Sequence, residues 1–330
     1  MKHIFQISRD SCAIQNNIVV FLKNENGISG LGEAAPSLFM GENVNSVIKM
    51  LRQSIDFLKH VNPFHIEDIT LQLENKFPHN PAARAAIDIA LHDVAGKQLK
   101  VPLYKLFGLN PLGTKTTSFT IGIDTMEKMC KKVDEVKDYP LLKIKVGREN
   151  DIEILKELRK ITNAIFRVDA NMGWAKEDVQ KKINRMEELG VELVEQPLPI
   201  GSFETLKKIK QLVNIPIILD EDVKNSKDIP EIASAADGIN IKLMKCGGIR
   251  EAMRMIHTAR AHDLKIMIGC NIESSISITA AAHVTPLVDY VDLDGHLLVT
   301  NDPYRGVAVD KGKLVLPEGD GLGVVQKDEE

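Results

Sequence analysis

The sequence predicts an α/β protein with a barrel of the (β/α)₈ type, preceded by a smaller α+β domain. From about residue 114, apolar runs of strand length alternate with charged amphipathic segments of helix length. A polar residue stands near the end of each of eight runs, at steps of 24 to 26 residues: Thr120, Lys145, Asp169, Glu195, Asp220, Lys245, Cys270 and Asp294. One strand and one helix fill such a repeat, so the even spacing favours a closed barrel over an open doubly wound sheet.

Length and composition indicate the broad class of the protein. A chain of 330 residues exceeds what one hydrophobic core usually holds, so a large domain and a smaller one are expected. The formal net charge is −4 and no basic stripe is present, so no nucleic-acid partner is predicted. The sequence lacks a run of 18 apolar residues, and its four cysteines are scattered without a CxxC pair. We therefore predict a cytoplasmic protein with no membrane partner.

Residues 1–110 show no repeat and indicate a small α+β domain. The strand-like segments FQIS and NIVVFLKN flank a polar loop, ISRDSCAIQN. In HNPAARAAIDIALHDVAGKQL, Asn80 is suited to cap a helix whose first residue is Pro81. The barrel is predicted over residues 111–300. The last segment, residues 301–330, is expected to leave the barrel and return to the first domain.

Three acidic residues, Asp169, Glu195 and Asp220, close three successive strands. Any one of them alone could be a helix cap or a loop residue. At the same position in three consecutive units, however, their carboxylates would converge on one rim of the barrel and repel one another. Such a cluster predicts a cation, and ligands that are all oxygen favour Mg²⁺, or else Mn²⁺. Zinc is disfavoured because no His or Cys joins the set.

Lysines stand on both sides of this acidic cluster in the sequence. Lys143 and Lys145 lie on one face of a strand, and Lys145 and Lys245 close the second and sixth strands, on opposite sides of a barrel. A lysine whose pKa is lowered by a cation and by a second ammonium can act as a general base. Two other interpretations are lysines that reach from a strand into solvent and a Schiff-base lysine. The acidic cluster argues against the Schiff base.

The segments KIKVG, RVDAN, VEQPL, LDED and NIKLMKCGG, in this order and spacing, resemble the enolase superfamily and, within it, the subgroup of the muconate-lactonizing enzymes. The likeness continues through AAIDIALHDVAGKQLKVPLYKLFG and EGDGLGV and covers most of the chain. It implies a modified (β/α)₇β TIM-type barrel with an α+β capping domain built from both chain ends. Members of the subgroup usually carry a further strand before the segment that matches KHIF. The expectation here is either a cap without that edge strand or a misassigned start.

The resemblance also implies roles for individual residues. It assigns Mg²⁺ binding to Asp169, Glu195 and Asp220, acid and base roles to Lys145 and Lys245, and support of the metal site to Asn171 and Glu221. The implied chemistry is removal of a proton next to a carboxylate, with charge stabilised by the metal. Two lysines suit a racemase or an epimerase, although elimination and cycloisomerisation use the same barrel.

The motif VDLDGH indicates what the substrate carries. Asp292 and Asp294 are predicted on one face of the eighth strand, where two carboxylates suit a substrate ammonium group. The other interpretations are a turn and a calcium loop, whose EF-hand pattern fails here. At this place the motif resembles that of the dipeptide epimerases of the subgroup, whose matching acids hold the α-ammonium group.

The loop ISRDSCAIQN resembles a mobile loop of the cap that contacts the distal part of the substrate. Arg9 is suited to bind a side-chain carboxylate, which predicts an L-Ala-Glu-like dipeptide, a peptidoglycan fragment. An exposed loop arginine is the other interpretation. Thr120 and Lys143 are also predicted to contact the substrate.

The predicted function is therefore Mg²⁺-dependent epimerisation of the C-terminal residue of a dipeptide, by proton transfer between two lysines through an enolate. The alternatives on the same barrel are a succinylbenzoate synthase, an N-acylamino acid racemase and a cycloisomerase-type lyase. A non-catalytic binding protein is a further alternative. For the assembly of the chain, a homo-oligomer is left open.

Overall fold

The structure, a computed structural model, describes residues 5–8 and 11–328. The N-terminal part is a layer of short antiparallel strands against helices. Its strands are β1 (Phe5–Gln6), β2 (Ser11–Cys12), β3 (Ile18–Lys23) and β4 (Ser29–Ala34), and its helices are α1 (Val44–Leu58), α2 (Ile66–Lys76), α3 (Pro81–Leu99) and α4 (Leu103–Leu106). Strand β3 pairs with β4, and β1 pairs with β2.

Helix α3 is the central element of this domain. As predicted, it begins at Pro81 after Asn80, but the Asn80 side chain makes no capping hydrogen bond. Its alanine-rich surface is buried almost all round, and strand β4 approaches it closely because β4 carries glycine at the contact. A Cβ atom on Gly32 would come within 1.9 Å of the carbonyl oxygen of Ala86. Among the described helices, none is both long enough and apolar enough to cross a membrane.

Eight parallel strands form the second part, in the same order in space as in the chain. They are β5 (Phe119–Ile121), β6 (Leu141–Lys145), β7 (Ile165–Asp169), β8 (Val191–Glu195), β9 (Ile217–Leu219), β10 (Gly238–Ile241), β11 (Lys265–Gly269) and β12 (Tyr290–Asp292). The helices between them are α5 (Met126–Glu135), α6 (Asp151–Ile161), α7 (Val179–Glu188), α8 (Phe203–Lys210), α9 (Ile229–Ile232), α10 (Leu243–Cys246), α11 (Ile249–Ala261) and α12 (Ser275–Ala282).

The sheet closes where its first and last strands meet. Thr117 and Val291 form a parallel bridge there, and the N–H of Ser118 donates to the carbonyl of Val291 at 3.2 Å. After β12 the chain makes one 3₁₀ turn, Gly295–Leu298, and no eighth barrel helix follows among the described residues. The (β/α)₇β barrel with an α+β cap is thus confirmed. The eighth unit of the repeat thus ends in a 3₁₀ turn and not in a helix.

Side chains fill the barrel below its C-terminal rim. An apolar cluster inside the sheet consists of Leu193, Ile218, Met267 and Tyr290. The buried guanidinium of Arg167 lies 4.9 Å from the Tyr290 ring and donates from Nη1 to the carbonyl of Val291 at 2.8 Å. The interior is therefore a packed floor, and polar side chains at the strand ends lie above it.

The C-terminal segment contains β13 (Tyr304–Arg305), β14 (Ala308–Asp310), β15 (Lys313–Val315) and β16 (Val325–Gln326). Gly321 exchanges backbone hydrogen bonds with Val101 and Leu103, both at 2.9 Å. The N–H of Leu322 donates to Oδ1 of Asp93 on α3 at 2.8 Å. These contacts tie the end of the chain to the N-terminal part, while the predicted boundaries at residues 110 and 300 stay predictions.

Candidate active site

A cavity of about 450 Å³ opens where the C-terminal ends of the barrel strands face the N-terminal domain. This volume lies in the range of small-molecule sites. From the barrel, its lining includes Thr120, Lys143, Lys145, Asn171, Lys242, Cys270, Asp292, Asp294 and Leu298, and from the cap it includes Ile7, Ser11, Ala13, Ile14, Gln15, Leu38 and Phe39. The predicted residue Arg9 lies outside the described residues.

Two of the three predicted metal ligands each have one carboxylate oxygen held by an amide. Asp169 ends β7, and its Oδ1 accepts the backbone N–H of Asn171 at 2.9 Å. Glu195 ends β8, and its Oε1 accepts from Nδ2 of Asn240 at 2.8 Å. The second oxygen of each faces Nζ of Lys143, at 3.1 Å from Asp169 and 2.8 Å from Glu195. The Glu195 oxygen is close enough for an ion pair but has no well-directed hydrogen bond.

The third acid, Asp220, follows β9 directly and shows the same division of its oxygens. Oδ1 accepts from Nζ of Lys245 at 2.5 Å, and Oδ2 accepts from Nζ of Lys242 at 2.7 Å. In all three acids, one oxygen is therefore anchored to the protein and the other points to an ammonium group at the cavity.

Burial and mutual repulsion govern the charge of the acids. Burial, followed by the charge of Asp169, raises the pKa of Glu195 to about 7. Burial also opposes the ionisation of Asp169, but Lys145 and Lys143 outweigh it and hold the pKa of this carboxyl well below its ordinary value. The lysines Lys242 and Lys245 do the same for Asp220. A cation added beside this carboxyl would favour its ionised form.

The three acids fit a magnesium ion by their chemistry. In the described part of the chain, no three His, Cys, Asp or Glu side chains already surround a common point for an ion. Lysine ammonium groups lie beside the carboxylates instead. The oxygens that face these lysines, one from each of Asp169, Glu195 and Asp220, form a set of oxygen donors such as Mg²⁺ requires.

Two lysines line the cavity from opposite sides of the barrel. Lys145 ends β6, and its Nζ lies 2.6 Å from Oδ2 of Asp169 and 3.1 Å from Oδ1 of Asn171. Lys242 follows β10 directly and binds Asp220. Strands β6 and β10 lie four places apart in a ring of eight. The two amines therefore approach the cavity from opposite walls.

The structure corrects the placement of Lys245. This residue was predicted to end the sixth strand and to face the substrate, but the strand ends at Ile241 and Lys245 lies in the short helix α10. Its Nζ donates to the backbone carbonyls of Asp220, Val223 and Asn240 at 2.5, 3.0 and 3.0 Å. The chain turns into a helix after Lys242, and this turn directs Lys245 away from the cavity.

Sequence reasoning missed Lys242, although a signal for it was present. Asn240 and Lys242 are alternate residues at the end of a strand, as Lys143 and Lys145 are, so both pairs point inward. The regular interval of about 25 residues predicted Lys245, and not Lys242, as the lysine at the end of the sixth strand.

Asp292 ends β12 and is already part of an ion pair. Its Oδ2 lies 2.7 Å from Nζ of Lys143, and its Oδ1 accepts from Oγ of Ser118 at 2.5 Å. Lys143 is 2% exposed. Burial alone would lower the pKa of Lys143, but three nearby carboxylates, Asp292 first, raise it well above its ordinary value. Lys143 is thus a buried counter-ion shared by several acids.

Asp294 lies beyond the end of β12, not on the strand as predicted. Its Oδ2 accepts the backbone N–H of Thr120 at 2.6 Å. Burial and the charge of Asp292 raise the pKa of Asp294 to about 7. Thr120 belongs to β5, the first barrel strand, and Ser118 directly precedes that strand. Asp294 accepts from Thr120 and Asp292 accepts from Ser118, so both acids connect the last strand to the first. Unlike Asp292, Asp294 is not paired with Lys143.

The two remaining predicted residues support the side of the site next to Lys145. Asn171 adopts a left-handed backbone conformation with φ of 43°, which asparagine tolerates better than most residues. This places its side chain between Lys145 and Glu221, and its Nδ2 donates to Oε1 of Glu221 at 3.2 Å.

Two family models match the chain. One, described as enolase C-terminal domain-like, matches residues 125–330, and the other, described as the N-terminal domain of mandelate racemase / muconate lactonizing enzyme, matches residues 1–108. The chain is 38% identical over 328 residues to the L-Ala-D/L-Glu epimerase of Bacteroides thetaiotaomicron, covering 99% of this chain and 85% of that protein. It is 39% identical over 328 residues to the L-Ala-D/L-amino acid epimerase of a Maribacter species, covering 98% and 96%.

A solved structure extends this likeness to the whole fold. The dipeptide epimerase from Enterococcus faecalis, complexed with Mg and the dipeptide L-Leu-L-Tyr, superposes with a TM-score of 0.93 at 34% identity. The match covers 98% of this chain and 95% of the other.

Proposed function

Because the chain belongs to the mandelate racemase / muconate lactonizing enzyme family of the enolase superfamily, we propose that it is a Mg²⁺-dependent dipeptide epimerase. It inverts the α-carbon of the C-terminal residue of an L-Ala-Glu-like dipeptide. The observation that carries this proposal is the pair of lysines, Lys145 and Lys242, on opposite walls of a cavity that also holds carboxylates for a cation. The similar L-Ala-D/L-Glu epimerase and the Mg-containing dipeptide epimerase support it.

We assign the proton transfers to these two lysines. Mg²⁺, when bound by Asp169, Glu195 and Asp220, supplies positive charge to the substrate carboxylate and so acidifies the α-proton. One lysine then takes this proton from one face of the carbon, and the other delivers a proton to the opposite face. Lys242 thus takes the role that the sequence alone gave to Lys245.

Asp294 is assigned to the substrate ammonium group. Asp292 has its oxygens committed to Lys143 and Ser118, whereas Asp294 lines the cavity without such an ion pair. A charge-assisted hydrogen bond to an ammonium is the interaction that a buried carboxylate of this kind makes best.

Two observations bear on the side chain of the inverted residue, and each favours a different candidate. The relative that acts on L-Ala-D/L-Glu and the charge of Arg9 favour an acidic side chain. The described cap wall also carries the apolar side chains of Ile14, Leu38 and Phe39 at the cavity, beside the polar Ser11 and Gln15. These apolar groups favour an apolar side chain as the second candidate. The thiols of Cys130, Cys246 and Cys270 are free, which supports a reducing, cytoplasmic location.

A dipeptide library in D₂O tests the proposal. With Mg²⁺ present, mass spectrometry should show one deuterium gained by L-Ala-L-Glu and by its epimer, or by dipeptides with an apolar C-terminal residue if the second candidate holds. The matched control is a set of N-acylated amino acids, which an N-acylamino acid racemase would label instead. If no dipeptide gains deuterium, the proposed function is wrong.

Asp294→Asn should remove the preference for a free ammonium group. We expect KM for L-Ala-L-Glu to rise roughly 10- to 100-fold, the value of one charge-assisted hydrogen bond. Weak turnover of the N-acetylated dipeptide should stay nearly unchanged. The matched control is Asp292→Asn, which frees Lys143 and should impair both substrates. An equal effect of Asp294→Asn on both substrates would contradict the assigned role.

A further inference from the structure

Lys245 is a buried ammonium group without a place in the proton transfers. It is 6% exposed, and its Nζ has four acceptors within 3.0 Å: Oδ1 and the backbone oxygen of Asp220 and the carbonyls of Val223 and Asn240. An ammonium group has three N–H donors. These acceptors therefore occupy all of its donors, and none remains for a substrate.

The acceptors of Lys245 come from neighbouring strand ends. Asp220 and Val223 follow β9, and Asn240 lies in β10. One cation thus holds together the two strand ends that carry Asp220 and Lys242. A neutral side chain could not satisfy several carbonyls and a carboxylate together, whereas a charged one compensates the buried carboxylate that it touches.

The hydrogen bond to Asp220 has a defined geometric consequence. With Oδ1 held by Lys245 at 2.5 Å, the carboxylate directs Oδ2 to the cavity side, where Lys242 lies 2.7 Å away. The N–H of Asn171 holds Asp169 in the same manner, and Nδ2 of Asn240 holds Glu195. Of these three anchors, Lys245 alone carries a charge.

We propose that Lys245 is a positioning residue that acts through Asp220, as a resident cation that orients this carboxylate toward the metal and takes no part in proton transfer. This inference rests on the metal site of the proposed function. A positioning role predicts that loss of Lys245 weakens metal binding even without substrate, whereas an acid or base role does not.

The test is Mn²⁺ binding to the full-length protein, followed by electron paramagnetic resonance. Lys245→Met should weaken Mn²⁺ affinity roughly 10- to 100-fold, the usual effect of losing a partner of a metal ligand. Deuterium exchange from the two epimers should fall by equal factors. The matched control is Lys242→Met, which should bind Mn²⁺ at least as tightly as the unmodified protein, since it removes a competing cation from Asp220.

Lys245→Gln serves as a second neutral variant that keeps donors for the carbonyls, and it should lose Mn²⁺ affinity as well. Unchanged Mn²⁺ affinity in the two folded variants would overturn the proposal, as would selective loss of exchange from one epimer. Failure of both variants to fold would overturn it in favour of a purely architectural role. The Mn²⁺ titration needs no substrate. A chain that binds Mn²⁺ but labels no dipeptide would therefore refute the proposed epimerase function, and the role of Lys245 would still be decided by the Mn²⁺ affinities of its variants.

Discussion

Lys242→Met is expected to abolish net epimerisation while leaving one of the two exchange reactions in place. In this variant Lys145 still removes and returns the α-proton on its own face of the carbon. One epimer of the dipeptide should therefore continue to exchange its α-hydrogen with D₂O. Exchange from the other epimer should fall roughly 100- to 10,000-fold, the usual contribution of a general acid or base.

Lys145→Met should give the mirror image of this result. Its surviving exchange must occur with the epimer that Lys242→Met no longer labels, because β6 and β10 face each other across the barrel. The measurement is α-hydrogen exchange of each pure epimer, followed by proton NMR in D₂O with Mg²⁺.

The matched control for both variants is Lys160→Met on helix α6. Lys160 is a surface lysine paired with Glu157 at 2.7 Å, and no catalytic role is assigned to it. Its loss should leave both exchange reactions unchanged. If Lys242→Met retained exchange from both epimers at the original rate, the assignment of Lys242 would be refuted.

The residues found from the sequence are those whose position follows from strand periodicity. Asp169 and Glu195 end adjacent parallel strands in register, since Asp169 is directly opposite Glu195 in the β7–β8 pairing. A fixed interval along the chain therefore places them side by side in space. The same reasoning placed Lys145 beside Asp169, which the β6–β7 register bears out.

The interval misled where the chain leaves a strand early. Strand β10 ends at Ile241 and the chain winds at once into α10, so Lys245, four positions later, points in another direction. Periodicity along the chain carries no information about such local turns. Nor does it show that the chain makes a single 3₁₀ turn, Gly295–Leu298, after the eighth strand.

Contacts between segments that are distant in the chain could not be predicted from the sequence pattern. The ion pair of Asp292 with Lys143 joins residues 149 positions apart, and its formation leaves Asp294 as the freer acid of the pair. Only the closure of the barrel seam brings these side chains together. The sequence could identify two acids suited to bind an ammonium group. It could not show that Asp292 pairs with Lys143 and that Asp294 is the acid left for the substrate.

Removal of divalent metal is expected to lower the turnover rate roughly 1,000-fold or more. A metal ion stabilises the transition state of such a proton abstraction by several kcal/mol. Dialysis against EDTA should abolish the deuterium exchange of both epimers, and added Mg²⁺ or Mn²⁺ should restore it. Loss of exchange from only one epimer would be inconsistent with a metal that serves both directions of the reaction.

Metal binding should also stabilise the fold, which gives a readout independent of turnover. At a Mg²⁺ concentration of 100 times Kd, the stabilisation is about 2.7 kcal/mol, so Tm should rise by several degrees. Asp220→Asn should lose most of this Mg²⁺-induced rise, since the variant weakens the oxygen that faces the cavity. The matched control is Asp237→Asn, an acid at the opposite end of the same strands that accepts the N–H of Ile217 at 2.9 Å. Its own Tm is expected to fall, but its response to Mg²⁺ should be preserved, and an equal response in both variants would exclude Asp220 as a ligand.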